Sequence, residues 1–289
     1  VHTAHVGPEH STSPGYGPGT DYVHGYSDRE AQRLGDQADT LAALLHGGTA
    51  YPAGSRVLEV GCGVGAQTVH LVSASPGAHI VAVDRSAASL AQARARVTAQ
   101  APGAEVEWQQ ADLFDLPFPD ASFDHLFVCF VLEHLREPLR AITGLRRVLR
   151  PGGSVTVIEG DHGSAFFHPD STYAQAVIGH QVRLQAAGGG NALMGRELQP
   201  LLSAAGLANV VVRPRTVYAD ATRPGMVDGF TRNTFIAMVD SVREDALACG
   251  MTTPDEWERG IAHLHRAAQD GGTFHYTFFK ATAINPSSA

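Results

Sequence analysis

Lysine is almost absent from this chain. Lys280 stands alone among 289 residues, and lysine and arginine together number 21 against 29 acidic residues. A formal net charge of −8 and the want of any lysine-rich run argue against a nucleic-acid partner. Cysteine is scarce as well. Cys62, Cys129 and Cys249 lie far apart, so they make neither a disulfide framework nor a metal-like cluster and read as reduced thiols of a cytoplasmic protein. No apolar run reaches the ~18 residues that a membrane span needs. The opening VHTAHVGPEHSTSPGYGPGT lacks the basic-then-apolar order of a secretion signal and is rich in Gly, Pro, Ser and His. Residues 1–21 are therefore expected to be a disordered or partner-packing tail. Residues 22–289 read as a single domain, with apolar residues at 44% of the chain to build its core.

What is present is strand–helix alternation. SDREAQRLGDQADTLAALLH (27–46) opens with Ser27 as N-cap and Glu30 completing a capping box, and Leu34, Ala38, Leu41 and Leu45 recur at helical spacing. Buried strands follow at 56–60, 79–84, 105–112, 123–130 and 154–161, with helices predicted at 65–72, 86–98 and 135–150 between them. A helix near 197–205 precedes two last strands, 208–219 and 272–284. Short connections in this order imply a parallel sheet covered on both faces. Two stretches are extra to that plan, 163–195 and 222–270, and read as helical lid insertions on a domain whose residues 22–48 form an N-terminal cap.

VLEVGCGVGAQT (57–68) carries the chemistry. Gly61 and Gly63 permit positive φ or close backbone approach, Gly65 permits close helix–strand packing, and the helix start offers free N–H groups. Asp84 lies at the tip of the next strand, placed to hold a ribose, with Arg85 beside it. A dinucleotide loop would carry its third glycine later, where Ala66 stands, and Glu59 would repel a pyrophosphate while suiting an ammonium group.

The order LEVGCGVGAQT, Asp84, QQADLFDLPFPDASFD, FDHLFVCFVLEHL and LRPGGSVTVIEGD resembles the motifs of class I S-adenosylmethionine-dependent methyltransferases, over roughly residues 27–219 and the last strand. The small-molecule branch related to quinone and sterol carbon methyltransferases is similar, as are bacterial natural-product enzymes of the teleocidin type, which methylate a terpenoid–indole carbon. The resemblance implies a Rossmann-like, seven-stranded, mostly parallel α/β sheet with an antiparallel last strand. It implies S-adenosyl-L-methionine as cofactor, S-adenosyl-L-homocysteine as product, and a small-molecule acceptor. It assigns Glu59 to the cofactor ammonium end, Asp84 to the ribose, and Asp112 and Leu113 to the adenine. Phe130 then flanks the methionine part, with Arg33 and Gln37 over the cofactor carboxylate. Base methyltransferases often carry an Asn/Asp-Pro-Pro-aromatic run after strand four; here that place reads CFVLEH.

A sulfonium brings its own leaving group, so no metal is expected, and Asp161, His162 and His168 lack a zinc-ligand spacing. Acid–base work falls to residues beyond strands four and five, with His162 first, His134 second, and Glu133, Glu159, Asp161 and Tyr26 nearby. Oxygen or nitrogen methylation would use such a base; carbon methylation of a prenyl alkene would pass through a carbocation that aromatic faces stabilise. Tyr22, Tyr26, Phe166, Phe167, Tyr173 and Phe230 are the candidate acceptor walls. A homo-oligomer is the expected assembly. A scaffold that keeps the fold without activity is the reading from another class.

Overall fold

The computed structural model describes residues 28–287, with side chains from Arg33 onward. Ser27, Glu30, Tyr22 and Tyr26 lie outside what is described of their side chains, as does the tail.

Helix α1 (Asp28–His46) leads to β1 (Arg56–Val60), α2 (Ala66–Ala74), β2 (His79–Asp84), α3 (Ala87–Gln100), β3 (Val106–Gln110) and β4 (Phe123–Cys129). A 3₁₀ turn (Leu132–His134) is followed by α4 (Pro138–Val148), β5 (Leu149–His168), α5 (Thr172–Ala187), α6 (Met194–Ala204) and β6 (Ala208–Ala219). The chain then forms α7 (Pro224–Met226), a π-helix (Val227–Ile236), α8 (Ala237–Asp240), α9 (Arg243–Ala248), α10 (Pro254–Ala267) and β7 (Thr273–Ile284). The seven strands lie in the order β3-β2-β1-β4-β5-β7-β6. β1 to β5 pair in parallel, and β7 runs antiparallel between β5 and β6.

Side-chain alternation sorts each central strand between two cores. Val57, Ile80, Phe127 and Ile158 face Leu41 and Leu45 of α1, Val177 of α5, Phe230 of the π-helix and Trp257 of α10. Leu58, Val81, Leu126, Val128, Val155 and Val157 face Ile142 and Leu145 of α4 and Leu198 and Leu202 of α6. Strands buried on both faces explain why these segments read as nearly unbroken apolar runs. Ser86 caps α3 by accepting the Ser89 N–H at 3.1 Å. Thr253 and Glu256 make a reciprocal capping box at α10, with Pro254 in its first turn.

The segment 163–195, expected to be a lid, divides instead. Residues 163–168 continue β5, because β7 is long enough to keep pairing past a bulge between Asp161 and Phe166, with Phe166 opposite His275 and Phe167 opposite Phe274. Beyond them α5 packs on α10, where Gly260 leaves room for Val177. The segment 222–270 is helical, as expected, but its first full element is the π-helix, which lies against α1 with Gly229 abutting Thr40.

The single lysine joins the sheet to the cap. Lys280 is buried on β7, and its Nζ donates to the Leu45 carbonyl at 3.1 Å, to the Gly47 carbonyl at 3.0 Å and to Thr49 Oγ1. The Leu45 carbonyl is one that the end of α1 leaves without a helical partner, and a cation is favoured at that pole. Burial lowers the ammonium pKa to about 8. Lys280→Met should leave these acceptors without their donor and destabilise the fold by about 1–3 kcal/mol. The urea unfolding midpoint reads this directly, and an unshifted midpoint would show that the contact holds nothing together.

Candidate active site

The chain moves outward from β1 to β2 and β3 and then returns to β4, so strand order reverses between β1 and β4. A crevice beyond the carboxyl ends of such strands is the usual ligand position in an open α/β sheet. A cavity of about 480 Å³ opens there and continues under α1 and the π-helix.

Its floor is the turn after β1. Gly61, Gly63 and Gly65 have φ of +68°, +52° and +75°, a region that side chains other than glycine resist. A Cβ at Gly61 would stand 2.7 Å from Val131 Cγ2, whereas one at Gly63 would meet nothing within 4 Å. The turn is held to β2 by two bonds: the Cys62 N–H donates to the Val83 carbonyl at 3.0 Å, and the Gly63 N–H to Asp84 Oδ2 at 2.9 Å. Asp84 Oδ1 accepts the Ser86 N–H at 2.8 Å. The carboxylate thus braces the turn while still lining the cavity. Gly65 is a correction: it does not line the cavity, and its missing Cβ makes room for Ala93 of α3, not a strand, since a Cβ there would stand 2.8 Å from Ala93 Cα.

Glu59, Arg33, Gln37, Arg85, Asp112, Leu113 and Phe130 all line the cavity. Arg33 Nη1 donates to Gln37 Oε1 at 3.4 Å along one face of α1. Asp112 Oδ1 accepts the Phe114 N–H at 2.9 Å, an Asx turn at the end of β3. Glu59 is buried, its Oε2 has no hydrogen-bond partner, and burial pushes its carboxyl up to about 8.

After β4 the backbone turns sharply. Phe130 adopts φ +57°, a strained value for a bulky residue and one often kept at functional sites. Glu159 explains how the strain is held. Its Oε1 accepts the N–H groups of Val131 at 3.0 Å and Leu132 at 2.7 Å. Glu159 is fully buried beneath the wall, so its expected catalytic place is corrected to that of an anchor for the 3₁₀ turn. That turn sets Glu133 and His134 on the cavity, with Glu133 Oε1 3.5 Å from His134 Nε2. Burial raises the pKa of Glu133 against the opposing pull of the Arg33 charge, and raises that of Glu159, which also resists a negative charge on Glu133. Burial and the Arg33 charge lower His134 to about 4.

The inner end of the cavity is aromatic. Phe130, Phe230, Phe235, Tyr276 and Phe278 line it together. Their ring centroids stand 5.5 Å apart for Phe130–Phe278, 4.7 Å for Tyr276–Phe278, and 5.5 Å for Tyr276 with each of Phe230 and Phe235. His162 closes this cup, its Nδ1 2.7 Å from Tyr276 Oη. Burial, with the nearby His134 and Arg33 charges, lowers His162 to about 3, so it is a neutral imidazole at physiological pH.

Three expected wall residues are elsewhere. Phe166 is 65% exposed and rests on His275. Phe167 is on the β5 extension, and Tyr173 packs edge-on against His263 under Arg259. The strand continuation carries the first two away from the crevice, and α5 carries the third onto α10. Asp161 is held by Arg196 through bonds of 2.7 and 2.8 Å. The sequence reading missed Phe235, Tyr276 and Phe278. The signals were there: FHYTFF alternates Phe274, Tyr276 and Phe278 on one face of a strand, and Phe230 and Phe235 stand five apart, the spacing of a π-helix.

Residues 58–157 match the family described as a methyltransferase domain. Over 214 residues the chain is 36% identical to an uncharacterized 37.1 kDa protein in transposon Tn4556 of Streptomyces fradiae, covering 73% of this chain and 58% of that protein. It is 31% identical over 139 residues to the 27-O-demethylrifamycin SV methyltransferase of Amycolatopsis mediterranei, covering 48% of this chain and 51% of the enzyme. The chain thus spans little more than half the length of these curated relatives. Among solved structures, the YcgJ protein of Bacillus subtilis superposes with a TM-score of 0.55 at 19% identity, over 86% of this chain and 99% of that one, which shows the fold. Residues 58–157 therefore match a methyltransferase domain, set in the sheet that the solved structures share. The resemblance of its motifs implies S-adenosyl-L-methionine as cofactor. The residues present fit that group. The glycine turn leaves its backbone open to the cavity at Gly63, Glu59 offers an unpartnered buried carboxyl oxygen, and Asp84 and Asp112 stand at successive strand ends.

Asp84→Ala should raise the dissociation constant for S-adenosylmethionine at least tenfold and, by freeing the Gly63 and Ser86 N–H groups, lower the melting temperature while the fold persists. Titration calorimetry with equal affinities for both proteins would remove Asp84 from the cofactor site. Glu59 gives a pH prediction. Its folded pKa of about 8 lies above the unfolded value, so between about pH 4.5 and 8 the folded state keeps a proton that the unfolded state has lost. Stability attributable to this group therefore falls as pH rises through that window, by up to about 5 kcal/mol in total. Glu59→Gln should flatten the fall in denaturation series at pH 5 and pH 8; parallel series would contradict it.

Proposed function

We propose that the protein transfers a methyl group from S-adenosylmethionine to a small, largely apolar acceptor held in the aromatic cup. The observation that carries this reading is the continuity of one cavity from the Gly61–Gly63 turn to the rings around His162. The bound cofactor supplies an electrophilic methyl carbon and a neutral thioether leaving group. Glu59, Asp84, Arg85, Asp112, Leu113, Arg33 and Gln37 hold it along the strand ends. Phe130, Phe230, Phe235, Tyr276 and Phe278 exclude water and fix the acceptor against the methyl carbon. In this reading α1 and residues 222–270 cap the site, and the protein works as a homo-oligomer.

Carbon methylation of a prenyl alkene is the specific reaction favoured. The alkene π pair forms the new bond, the cation left on the neighbouring carbon lies among aromatic faces, and loss of a proton to His162 restores an alkene. Five rings with a neutral imidazole suit a transient cation, because none of them pairs with it as a fixed charge. The same imidazole also supports a second reading, methylation of a hydroxyl or amine with His162 taking its proton. His134, shielded by Arg33 and Glu133, is the weaker base candidate. The relative that demethylrifamycin names makes an oxygen acceptor a chemistry worth including.

Incubation with methyl-labelled S-adenosylmethionine and a panel of prenylated indoles, phenols and amines tests the proposal. Label should enter a prenylated or aromatic acceptor, and His162→Gln should lower turnover about a hundredfold with cofactor affinity within twofold. Tight cofactor binding with no labelled product from any acceptor would favour the scaffold reading. Undiminished turnover in the variant would take His162 out of the reaction.

A further inference from the structure

His162 lines the cavity and has two ring nitrogens, one of which is already engaged. Nδ1 is 2.7 Å from Tyr276 Oη, within a buried contact that joins β5 to β7. The backbone makes room for this bond in an unusual way. Gly160 stands two residues before His162, and a Cβ there would collide with Tyr276 Oη and lie 3.8 Å from His162 Cε1. Its φ is not in the left-handed region, so the glycine is required by the hydroxyl and not by the turn. Rings on three sides, Phe230, Phe235 and Phe278, hold the phenol in place. Phe235 meets the imidazole edge-on at 6.4 Å. A neutral imidazole takes its tautomer from the bond its other nitrogen makes.

We propose that Tyr276 is the positioning residue of this site: its hydroxyl accepts the Nδ1 proton of His162, fixing the ring so that Nε2 presents a lone pair to the acceptor. This rests on the methyl-transfer reading for its purpose but not for its geometry. The bond to the methyl carbon forms as the carbon–sulfur bond breaks, and the proton that the acceptor loses, in that step or from the cation that follows it, passes to Nε2. The imidazolium so made keeps its Nδ1 bond to the phenol oxygen, and the proton later leaves to solvent. Gly160 is part of the same device, since it keeps space for the hydroxyl.

The first test needs neither cofactor nor acceptor. In protein carrying ¹⁵N-labelled histidine, with the His162 signals assigned by their loss in His162→Gln, the ring should show a protonated Nδ1 and an unprotonated Nε2. Tyr276→Phe should shift those two signals toward a mixed tautomer, and Gly160→Ala should do the same by displacing the hydroxyl. In the Tyr276→Phe background Gly160→Ala should add nothing further, because the atom it displaces is gone. With a methylated acceptor in hand, Tyr276→Phe should lower kcat about tenfold while the acceptor KM and cofactor affinity stay within twofold. Ring signals unmoved in Tyr276→Phe, or a wild-type ring with its proton on Nε2, would overturn the proposal. A tautomer shift without methylation of any acceptor would instead leave the positioning intact and defeat the methyl-transfer reading.

Discussion

The bond from the Gly63 N–H to the Asp84 carboxylate sets the terms for the rest of the site. A turn with three left-handed residues in five is poor in backbone choices that an ordinary chain would adopt. Held at 2.9 Å to the tip of β2, it becomes a fixed shelf across the ends of two strands. Everything that lines the cofactor half hangs from that shelf or faces it. Val131 fills the space against Gly61, α3 closes on Gly65 through Ala93, and Glu59 sits below, buried and without a partner for Oε2. Because each carboxylate oxygen of Asp84 has a second lone pair, bracing the turn does not consume its capacity to accept from a ligand.

Burial gives the inner half its character. Glu133, Glu159, Glu59, His134 and His162 are all buried or nearly so, and in each the charged form is disfavoured. The result is a pocket rich in titratable groups and poor in charge. An acceptor entering it meets ring faces and a neutral imidazole in a region where a developing positive charge has no bulk water to stabilise it. Aromatic quadrupoles are the remaining source of stabilisation, which is why the cup and the neutral base belong to one argument.

The two halves differ in how far they could be read from the sequence. The shelf is local: strand, glycines, helix and the next strand's acid fall within Val57–Asp84, so spacing alone located Gly61, Gly63 and Asp84. The sheet was legible for the same reason, since strands buried on both faces leave apolar runs too short for helices and bounded by turn residues. The cup is not local. Phe130, Phe230 and Tyr276 come from the turn after β4, the π-helix and β7, and only the folded sheet brings them together. Phe166, Phe167 and Tyr173 looked suitable because aromatics after strand five often reach a crevice, but β7 captured the first two in strand pairing. A helix of π geometry turns its residues by a different angle from an α-helix, so the 3.6-residue template could not say that Phe230 and Phe235 face the same cavity. Glu159 was misplaced for another reason: an acid at a strand end reads as solvent-facing, and only the backbone N–H groups of the next crossover reveal it as an internal anchor.

The lone lysine ties these halves together. Lys280 lies on the same strand as Tyr276 and Phe278 and holds the carboxyl end of α1. Arg33 stands twelve residues earlier on that helix, about 18 Å along its axis, where it lines the cavity. A rigid helix fixed at one end by a buried cation, and along its length by the π-helix at Gly229, has little freedom in where its other end delivers a guanidinium. The strand that builds the acceptor wall therefore also aims the cap. A change at Lys280 would be felt at the cofactor end through α1 before it was felt by Tyr276 two turns of the pleat away, which is the order expected when a helix transmits the displacement and a paired strand resists it.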